Sequence, residues 1–198
     1  MEMFVAGPEH WAEIIDAMQP DAVVCALGTT WRKAGRDEAG FRAVDEALVL
    51  DVARAAKDAG IRQFICVSAV GASRQSRNLY LRVKGEVEDA LQKMRFTRLD
   101  ILRPSLLRGH RPDDLRLGER LAILASPLFD LFMHGGYRRY HSISARRMAQ
   151  AILDLAQEKA GGRFVHDYDS LMRAARRFER DRDDPTQGAR GRGQRTLA

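Results

Sequence analysis

The sequence of 198 residues has too few cysteines for a fold held together by disulfides. Its two cysteines, Cys25 and Cys66, each lie inside an apolar run, and their spacing does not fit a zinc knuckle. We therefore expect both to be small buried hydrophobic residues of a reduced, cytoplasmic protein. The histidines lack the spacing of metal ligands, so no metal site is predicted; they are His10, His110, His134, His141 and His166.

Long apolar segments are missing as well. No run approaches the roughly 20 apolar residues that a transmembrane helix needs, so we predict no membrane span. The first residues include acids and show no basic stretch followed by an apolar one, which does not fit a secretory signal. Both absences agree with the cytoplasmic location expected from the cysteines.

Positive charge exceeds negative charge, with a formal net charge of +6, but much of the excess lies near the C-terminus. From Arg173 onward arginines outnumber acids, and apolar residues almost disappear after Phe178. Such a composition cannot support a packed core. We therefore interpret residues 171–198 as a basic, disordered tail with at most a weak, salt-sensitive attraction to polyanions, and we predict no specific nucleic-acid partner.

Residues 1–170 alternate short apolar runs of strand length with helical stretches, which is the pattern of a parallel sheet covered by helices. The predicted strands are residues 21–27, 62–67, 97–104 and 163–168. The predicted helices are residues 41–59, 79–94 and about 113–132, a first helix that Pro8 opens and one that Ser144 caps. We predict one α/β domain with a Rossmann-like, doubly wound parallel sheet.

Three side chains are the strongest candidates for chemistry: Ser68, Tyr80 and Lys84. Tyr80 and Lys84 are four residues apart on a predicted helix, so the phenol and the ammonium lie one turn apart on one face. A free tyrosine has a pKa of about 10, and a neighbouring cation lowers that pKa by stabilising the phenolate. Ser68 follows a predicted strand, and open α/β sheets bind ligands at the carboxyl ends of their strands.

The same residues also have a structural explanation, which stays open at this point. Tyr-x-x-x-Lys is common on amphipathic helices, where the tyrosine is half-buried and the lysine is solvated. Gly28 can simply end a strand, and Pro104 can simply stop one. The chemical interpretation is favoured because serine, strand, loop and helix follow one another in the order that the chemistry needs.

Four runs of the sequence carry a resemblance to a known family: CALGTTWRKAG, VSAVGAS, NLYLRVKGEVE and ILRPSLL. Together they resemble the atypical short-chain dehydrogenases/reductases related to the Tat-interacting oxidoreductase, which bind NAD(P)H. The similarity extends over residues 21–169. Tyr-x-x-x-Lys alone is unspecific, but the combination of the four runs is specific.

The resemblance implies a role for each candidate residue. Tyr80 would be the acid/base, Lys84 would bind the nicotinamide ribose and depress the tyrosine pKa, and Ser68 would position the substrate carbonyl. NADP(H) is favoured over NAD(H) because the relatives use it. The cofactor-binding residues would be Gly28, Thr29 and Thr30 on the adenosine side, Lys84 at the ribose, and Arg103, Pro104 and Ser105 along the nicotinamide.

Two features depart from the family pattern. The family generally shows Asp-x-Asp-Tyr on the helix after the GTT loop, whereas this chain has Asp45, Glu46, Ala47 and Leu48 and so loses the second acid and the aromatic ring. Such folds also begin with a strand and a G-x-x-G-x-x-G loop whose backbone N–H groups hold the pyrophosphate. The sequence contains no such spacing, so we expect a Rossmann-like fold that lacks the first βαβ unit and its glycine-rich loop.

The expected loss of that unit has a structural consequence. In the strand order 3-2-1-4-5-6, the first strand lies beside the strand that is residues 21–27 here. Without it, an apolar strand becomes an open sheet edge, which favours pairing with another chain. We therefore predict self-association or a protein partner at this edge.

These features predict an NAD(P)H-dependent oxidoreductase that acts on a small carbonyl or alcohol through Ser68, Tyr80 and Lys84. Two alternatives stay open: a nucleotide-sensing interaction protein without turnover, and an inactive truncated fragment. Cofactor affinity without turnover would favour the first alternative. Failure to bind either NADPH or NADH would favour the second.

Overall fold

The structure is a computed structural model that describes residues 5–105, 107–108 and 141–183. The chain divides into two compact units. Of the described residues, unit 1 contains 5–104 and 159–166, and unit 2 contains 105, 107–108, 141–158 and 167–183. The single domain that the sequence predicted over residues 1–170 stays a prediction.

A four-stranded parallel sheet forms the centre of unit 1, and in order across the sheet its strands are β1 (Ala22–Cys25), β2 (Gln63–Val67), β3 (Arg98–Leu102) and β6 (Gly162–His166). Cys25 pairs with Cys66 and Val67 with Leu102 in its register. The predicted Rossmann-like α/β fold with a parallel sheet is thus confirmed.

Strand β1 lies at the edge of this sheet, so the predicted edge position is confirmed for the part of the chain that the structure describes. Val24, in the middle of β1, is 42% exposed. The side chain of an apolar residue in the middle of this strand is therefore partly open to solvent. Self-association through this edge stays a prediction.

The helices of unit 1 end at clear sequence signals. The Asn78 side chain accepts the Leu81 N–H at 3.2 Å and caps the fourth helix, and Gly60 takes a φ of +75° just after the third. A π-helical segment, Ala43–Leu48, interrupts what the sequence predicted as one helix. The helices are α1 (Trp11–Met18, after a 3-10 turn at Pro8–His10), α2 (Glu38–Arg42), α3 (Val49–Asp58) and α4 (Leu79–Lys93).

The hydrophobic core of unit 1 joins one face of the sheet to helices α3 and α4. Phe64 of β2 stacks on Phe96 with ring centroids 5.1 Å apart. Leu91 of α4 is fully buried, and burial of a leucine side chain stabilises a fold by about 1.5–3 kcal/mol. Cys25 and Cys66 belong to this core as free thiols, so the prediction that they are buried is confirmed.

A second buried group of side chains surrounds Asp100, a fully buried residue of β3. Arg98 donates from Nε to Oδ2 at 2.7 Å and from Nη2 to Oδ1 at 2.9 Å. Gln63 Nε2 donates to Oδ2 at 3.0 Å, and His166 Nε2 lies 2.8 Å from Oδ1. These four residues, the Asp100 cluster, connect β3 to β2 and β6.

Unit 2 contains two packed helices, α5 (Ala145–Ala156) and α6 (Tyr168–Asp183), and a short parallel pair, β4 (Leu107–Arg108) and β5 (Ile143–Ser144). The predicted N-cap of α5 is confirmed, because the Ser144 hydroxyl accepts the Arg147 N–H at 3.3 Å. No helix in the described part of the chain combines the length and the apolar character needed to cross a membrane.

Helix α6 overturns part of the predicted disordered tail. Leu171, Ala174 and Ala175 are buried, and Arg177 Nη2 pairs with Asp154 of α5 at 2.5 Å. Three apolar residues on one face are enough to pack this helix against α5. The prediction of disorder rested on the many charged residues, which lie on the other face. Residues 184–198 of the predicted tail, and the helix predicted near residues 113–132, lie outside the described residues.

Candidate active site

The site residues predicted in unit 1 come from strand ends and from helix α4. Because parallel strands end at the same edge of a sheet, the fold places these segments in one region. Strand β1 is followed by Gly28, Thr29 and Thr30, strand β2 by Ser68, and strand β3 by Arg103 and Pro104. Tyr80 and Lys84 lie on α4.

Lys84 is a buried cation, with 5% of its surface exposed. Its Nζ lies 2.9 Å from Oδ1 of Asp45, which is 1% exposed. The alternative interpretation of the Tyr-x-x-x-Lys pattern required a solvated lysine, so the burial of Lys84 argues against it.

Asp45 comes from the π-helical segment between α2 and α3 and uses both carboxylate oxygens. Oδ2 accepts the backbone N–H of Thr29 at 2.7 Å. Oδ1 faces the ammonium of Lys84, its charge partner at 2.9 Å. Single-turn π-helical segments are frequent at functional sites.

Gly28 lies against this ion pair. A Cβ at Gly28 would stand 3.4 Å from Asp45 Oδ1 and 3.9 Å from Lys84 Nζ. The glycine therefore leaves open the space directly beside the lysine ammonium. Thr30 has a local contact, because its hydroxyl accepts the Lys33 N–H at 3.3 Å in the turn that follows.

Tyr80 lies one helical turn before Lys84 and is 41% exposed. Its ring contacts the buried ring of Phe41 with centroids 6.0 Å apart, and Phe41 in turn contacts Trp31 at 6.5 Å. The aromatic contact holds the phenol at the surface, next to the buried ammonium.

The charges of Lys84 and Asp45 act on Tyr80 in opposite directions. Burial raises the pKa of Tyr80, Lys84 lowers it and Asp45 raises it, and the net direction is upward. The sequence predicted that Lys84 would depress this pKa; its effect has the predicted sign but is outweighed in the chain alone. A raised pKa keeps the phenol protonated at neutral pH, which suits a proton donor.

Lys84 itself keeps its proton. Burial by itself would lower the pKa of the ammonium, but the charge of Asp45 and its hydrogen bond outweigh burial, so the pKa is raised. The site thus holds a permanent positive charge next to a neutral phenol over the physiological pH range.

Ser68 has a buried carboxylate as its protein partner, and its predicted role at a substrate carbonyl stays a prediction. Its hydroxyl donates to Oε1 of Glu88, a residue of α4 that is 2% exposed. Arg103 donates from Nε to the same Oε1 at 3.0 Å and from Nη2 to Oε2. A serine has one O–H proton, and Ser68 uses it in the hydrogen bond to Glu88. Toward its other neighbours the Ser68 oxygen can therefore act only as an acceptor.

The last two predicted residues differ in position. The carbonyl of Pro104 accepts the Val70 N–H at 2.9 Å, which joins the segment after β3 to the segment after β2. Ser105 belongs to unit 2, where its hydroxyl donates to the backbone carbonyl of His141 at 2.5 Å.

The sequence-based reasoning missed Asp45 and Glu88. Asp45 was noticed as part of a departure from the family pattern but was given no role. Glu88 follows Lys84 by four residues, as Lys84 follows Tyr80, so the helical period could have placed it on the same face. Nothing in the sequence shows that Asp45 meets Lys84, because the two lie on different elements.

These side chains fit the ribose and nicotinamide end of a dinucleotide. Gly28 leaves a cradle that a Cβ would fill, and the Lys84 ammonium beside it is a donor suited to hydroxyl groups. A glycine loop for the pyrophosphate is not found in the sequence.

Comparison with known proteins identifies the family. A family model described as NAD(P)H-binding matches residues 3–159. The chain belongs to the NAD(P)H-binding family. The predicted family is therefore confirmed.

Two curated relatives show the extent of the similarity. The chain is 34% identical over 154 residues to "Protein FMP52-1, mitochondrial" of Scheffersomyces stipitis, a match that covers 76% of this chain and 66% of the relative. It is 46% identical over 102 residues to rat "Protein HTATIP2", covering 52% of this chain and 41% of the relative. The chain therefore matches about two thirds or less of the length of these relatives.

Solved structures confirm the fold. UDP-glucose 4-epimerase from Brucella ovis, in complex with NAD, superposes with a TM-score of 0.61 at 16% identity, covering 86% of this chain and 67% of that chain. The RMD structure from Pseudomonas aeruginosa, complexed with NADPH, gives 0.58 at 18% identity, covering 84% and 66%. At such identities the likeness concerns the fold alone.

The comparisons correct one prediction. The sequence predicted a cytoplasmic protein, partly from its free cysteines. The fungal relatives are named as mitochondrial proteins, so the predicted location is wrong. Free buried thiols show a reducing environment or an inaccessible position, and neither distinguishes one compartment inside the cell from another.

Proposed function

We propose that this chain carries the nicotinamide end of an NAD(P)H-dependent oxidoreductase site that acts on a small carbonyl or alcohol. The observation that supports the proposal is the buried Lys84 ammonium, which lies beside the Cβ-free space at Gly28 and one helical turn after Tyr80. A buried, paired lysine next to an exposed phenol is unusual for a surface helix, because burial of a charge is costly without function or compensation.

In this proposal, residues of the chain donate the proton and stabilise the phenolate that remains. The bound nicotinamide would supply or accept the hydride. For carbonyl reduction, Tyr80 Oη donates its proton to the carbonyl oxygen, and Lys84 stabilises the phenolate that remains. Ser68, whose own proton is held by Glu88, accepts a hydrogen bond from the hydroxyl group of the alcohol product.

The structure suggests an adjustment to the cofactor-binding residues. The resemblance put Gly28 on the adenosine side and Lys84 at the nicotinamide ribose, yet a Cβ of Gly28 would lie 3.9 Å from Lys84 Nζ. We therefore place Gly28 and Thr29 at the nicotinamide ribose as well. NADP(H) rather than NAD(H) remains part of the proposal through the resemblance alone.

The proposal is tested by fluorescence titration of the chain with NADPH and NADH, followed by turnover assays on a panel of small carbonyls. Tyr80→Phe should leave the cofactor Kd unchanged and lower turnover by about 10²- to 10⁴-fold, because it removes the general acid alone. Lys84→Met should raise the Kd about tenfold or more, as expected for a lost charge-assisted hydrogen bond.

Lys57→Met is the matched control for the lysine variant, because Lys57 is an exposed residue near the end of α3 whose Nζ donates to the carbonyl of Arg95 at 2.9 Å. It should change neither quantity. Full turnover in Tyr80→Phe would exclude the assigned proton donor, and a lack of binding by the parent chain would exclude the proposal for this chain.

A binding protein without turnover is the second candidate. It is favoured by the hydrogen bond from Ser68 to Glu88, which withholds from a carbonyl the only proton that Ser68 can donate. Cofactor binding without turnover on the whole panel, together with an unchanged Kd in Ser68→Ala, would favour this candidate over the enzyme.

A further inference from the structure

Asp45 connects two parts of the candidate site that come from different elements. One carboxylate oxygen accepts the backbone N–H of Thr29, in the loop after β1, at 2.7 Å. The other lies 2.9 Å from the ammonium of Lys84, on α4. A single buried side chain thus fixes the loop and the lysine relative to each other.

Asp45 is the carboxylate that pairs directly with Lys84. Glu88 lies one turn further along α4 and pairs instead with Arg103. Tyr80 faces Lys84 from its own helix, Cys25 from β1 and Cys66 from β2, and all three are neutral in their protonated forms. Removal of one partner of a buried ion pair leaves the other charge uncompensated, which is strongly unfavourable.

The backbone at Asp45 supports a dedicated role. The segment Ala43–Leu48 is π-helical, between regular helical turns on both sides, and such segments occur mostly as local insertions at functional sites. Both carboxylate oxygens of Asp45 are engaged by parts of the candidate site, one by the Thr29 N–H and one by the Lys84 ammonium.

We propose that Asp45 is a positioning residue that keeps Lys84 charged and fastens it to the loop Gly28–Thr30, so that the cofactor ribose meets a preformed cationic site. This inference rests on the proposed function for the ligand, but the ion pair can be tested on the chain alone.

The first test measures unfolding free energy against pH for Asp45→Asn. Without its counter-ion, buried Lys84 should titrate below the value of about 10.4 that it has in the unfolded chain. The folded state then binds fewer protons than the unfolded state, so stability rises with pH. The stability deficit of Asp45→Asn relative to the parent should therefore shrink between about pH 6 and about pH 9.

A second variant shows whether Lys84 causes that dependence. In Asp45→Asn/Lys84→Met neither buried charge remains, so its stability should run parallel to the parent over the same range. All variants are made in a Cys25→Ala background, because hydrogen bonding from Cys66 lowers the pKa of Cys25 to about 7, inside the range scanned. If Asp45→Asn does not fold, the double variant should still fold.

The third measurement is the Kd for NADPH against pH. The parent Kd should be constant from about pH 6 to about pH 9, while the Kd of Asp45→Asn should rise by about tenfold as Lys84 loses its proton. In the double variant this rise should vanish. If the parent binds neither NADPH nor NADH, the proposed function fails while the stability measurements still test the ion pair.

Asp51→Asn is the matched control, since Asp51 lies on α3 with an exposed side chain and pairs with Arg54 at 2.5 Å. It should change neither profile. The inference is overturned if the deficit of Asp45→Asn is independent of pH, or if the double variant fails to fold. It is also overturned if NADPH binds to Asp45→Asn with the parent's Kd at every pH.

Discussion

Asp100 and Asp45 are both buried carboxylates of unit 1, yet their surroundings differ. Asp100 receives two hydrogen bonds from Arg98, one from Gln63 and one contact from His166. Asp45 receives one backbone N–H and pairs with one ammonium. The first carboxylate is held by three side chains of the sheet, whereas the second is held by one side chain and one backbone group.

The difference separates two uses of buried charge. Because desolvation of two charges is costly, a buried ion pair is favourable only when its hydrogen bonds are well satisfied. The Asp100 cluster meets that condition within the sheet. The pair of Asp45 and Lys84 lies next to the open space at Gly28 and the exposed Tyr80. We infer that the Asp100 cluster stabilises the fold, whereas the Asp45 pair serves the site.

Removal of the Asp100 charge should give the largest effect on stability. Asp100→Asn leaves the guanidinium of Arg98, which is 6% exposed, without its counter-ion, and breaking a buried pair costs about 3–5 kcal/mol. Chemical denaturation of the parent and the variant measures the loss. The NADPH affinity of Asp100→Asn should depend on pH in the same way as that of the parent. A pH dependence like that of Asp45→Asn would contradict the distinction between the two carboxylates.

A smaller loss is expected when one contact of the cluster is removed and the others remain. His166→Phe keeps a ring of similar size but deletes the nitrogen that lies 2.8 Å from Asp100 Oδ1. A hydrogen bond to a charged group contributes about 1.5–3 kcal/mol, so the free energy of unfolding should fall by that amount. A loss as large as that of Asp100→Asn would show that the cluster has no redundancy.

The stability that the Asp100 cluster provides should be lost gradually as the pH falls. Burial would raise the pKa of Asp100, but hydrogen bonds from His166, Arg98 and Gln63 outweigh burial and lower it. A depressed carboxyl pKa stabilises the folded state above the unfolded value of about 3.9, and this stability is lost as the pH falls through the folded value.

The slope from this one group is at most about 1.4 kcal/mol per pH unit. Acid titration of unfolding free energy, followed by circular dichroism, should therefore show a steeper fall for the parent than for Asp100→Asn. Parallel curves below about pH 4 would contradict the assignment of the stabilising charge to Asp100.

Local features of the chain could be predicted well from sequence. The strand that ends before Ser68, the cap at Ser144 and the one-turn spacing of Tyr80 and Lys84 depend on neighbouring residues alone, and the structure contains all three. The helix α6 could not be predicted in this way. It is stabilised by packing of Leu171 against another helix, and the charged residues around Leu171 in the sequence give no sign of that packing.

The amino-acid order alone determined the alternation of strands and helices and which residue types stand at the strand ends, since these follow from periodicity and chain stops. Only the tertiary structure decided that Lys84 meets Asp45, that Ser68 meets Glu88 and that the pKa of Tyr80 is raised rather than lowered. The physical reason is that burial and charge pairing depend on which elements pack together, and residues distant in the chain supply both.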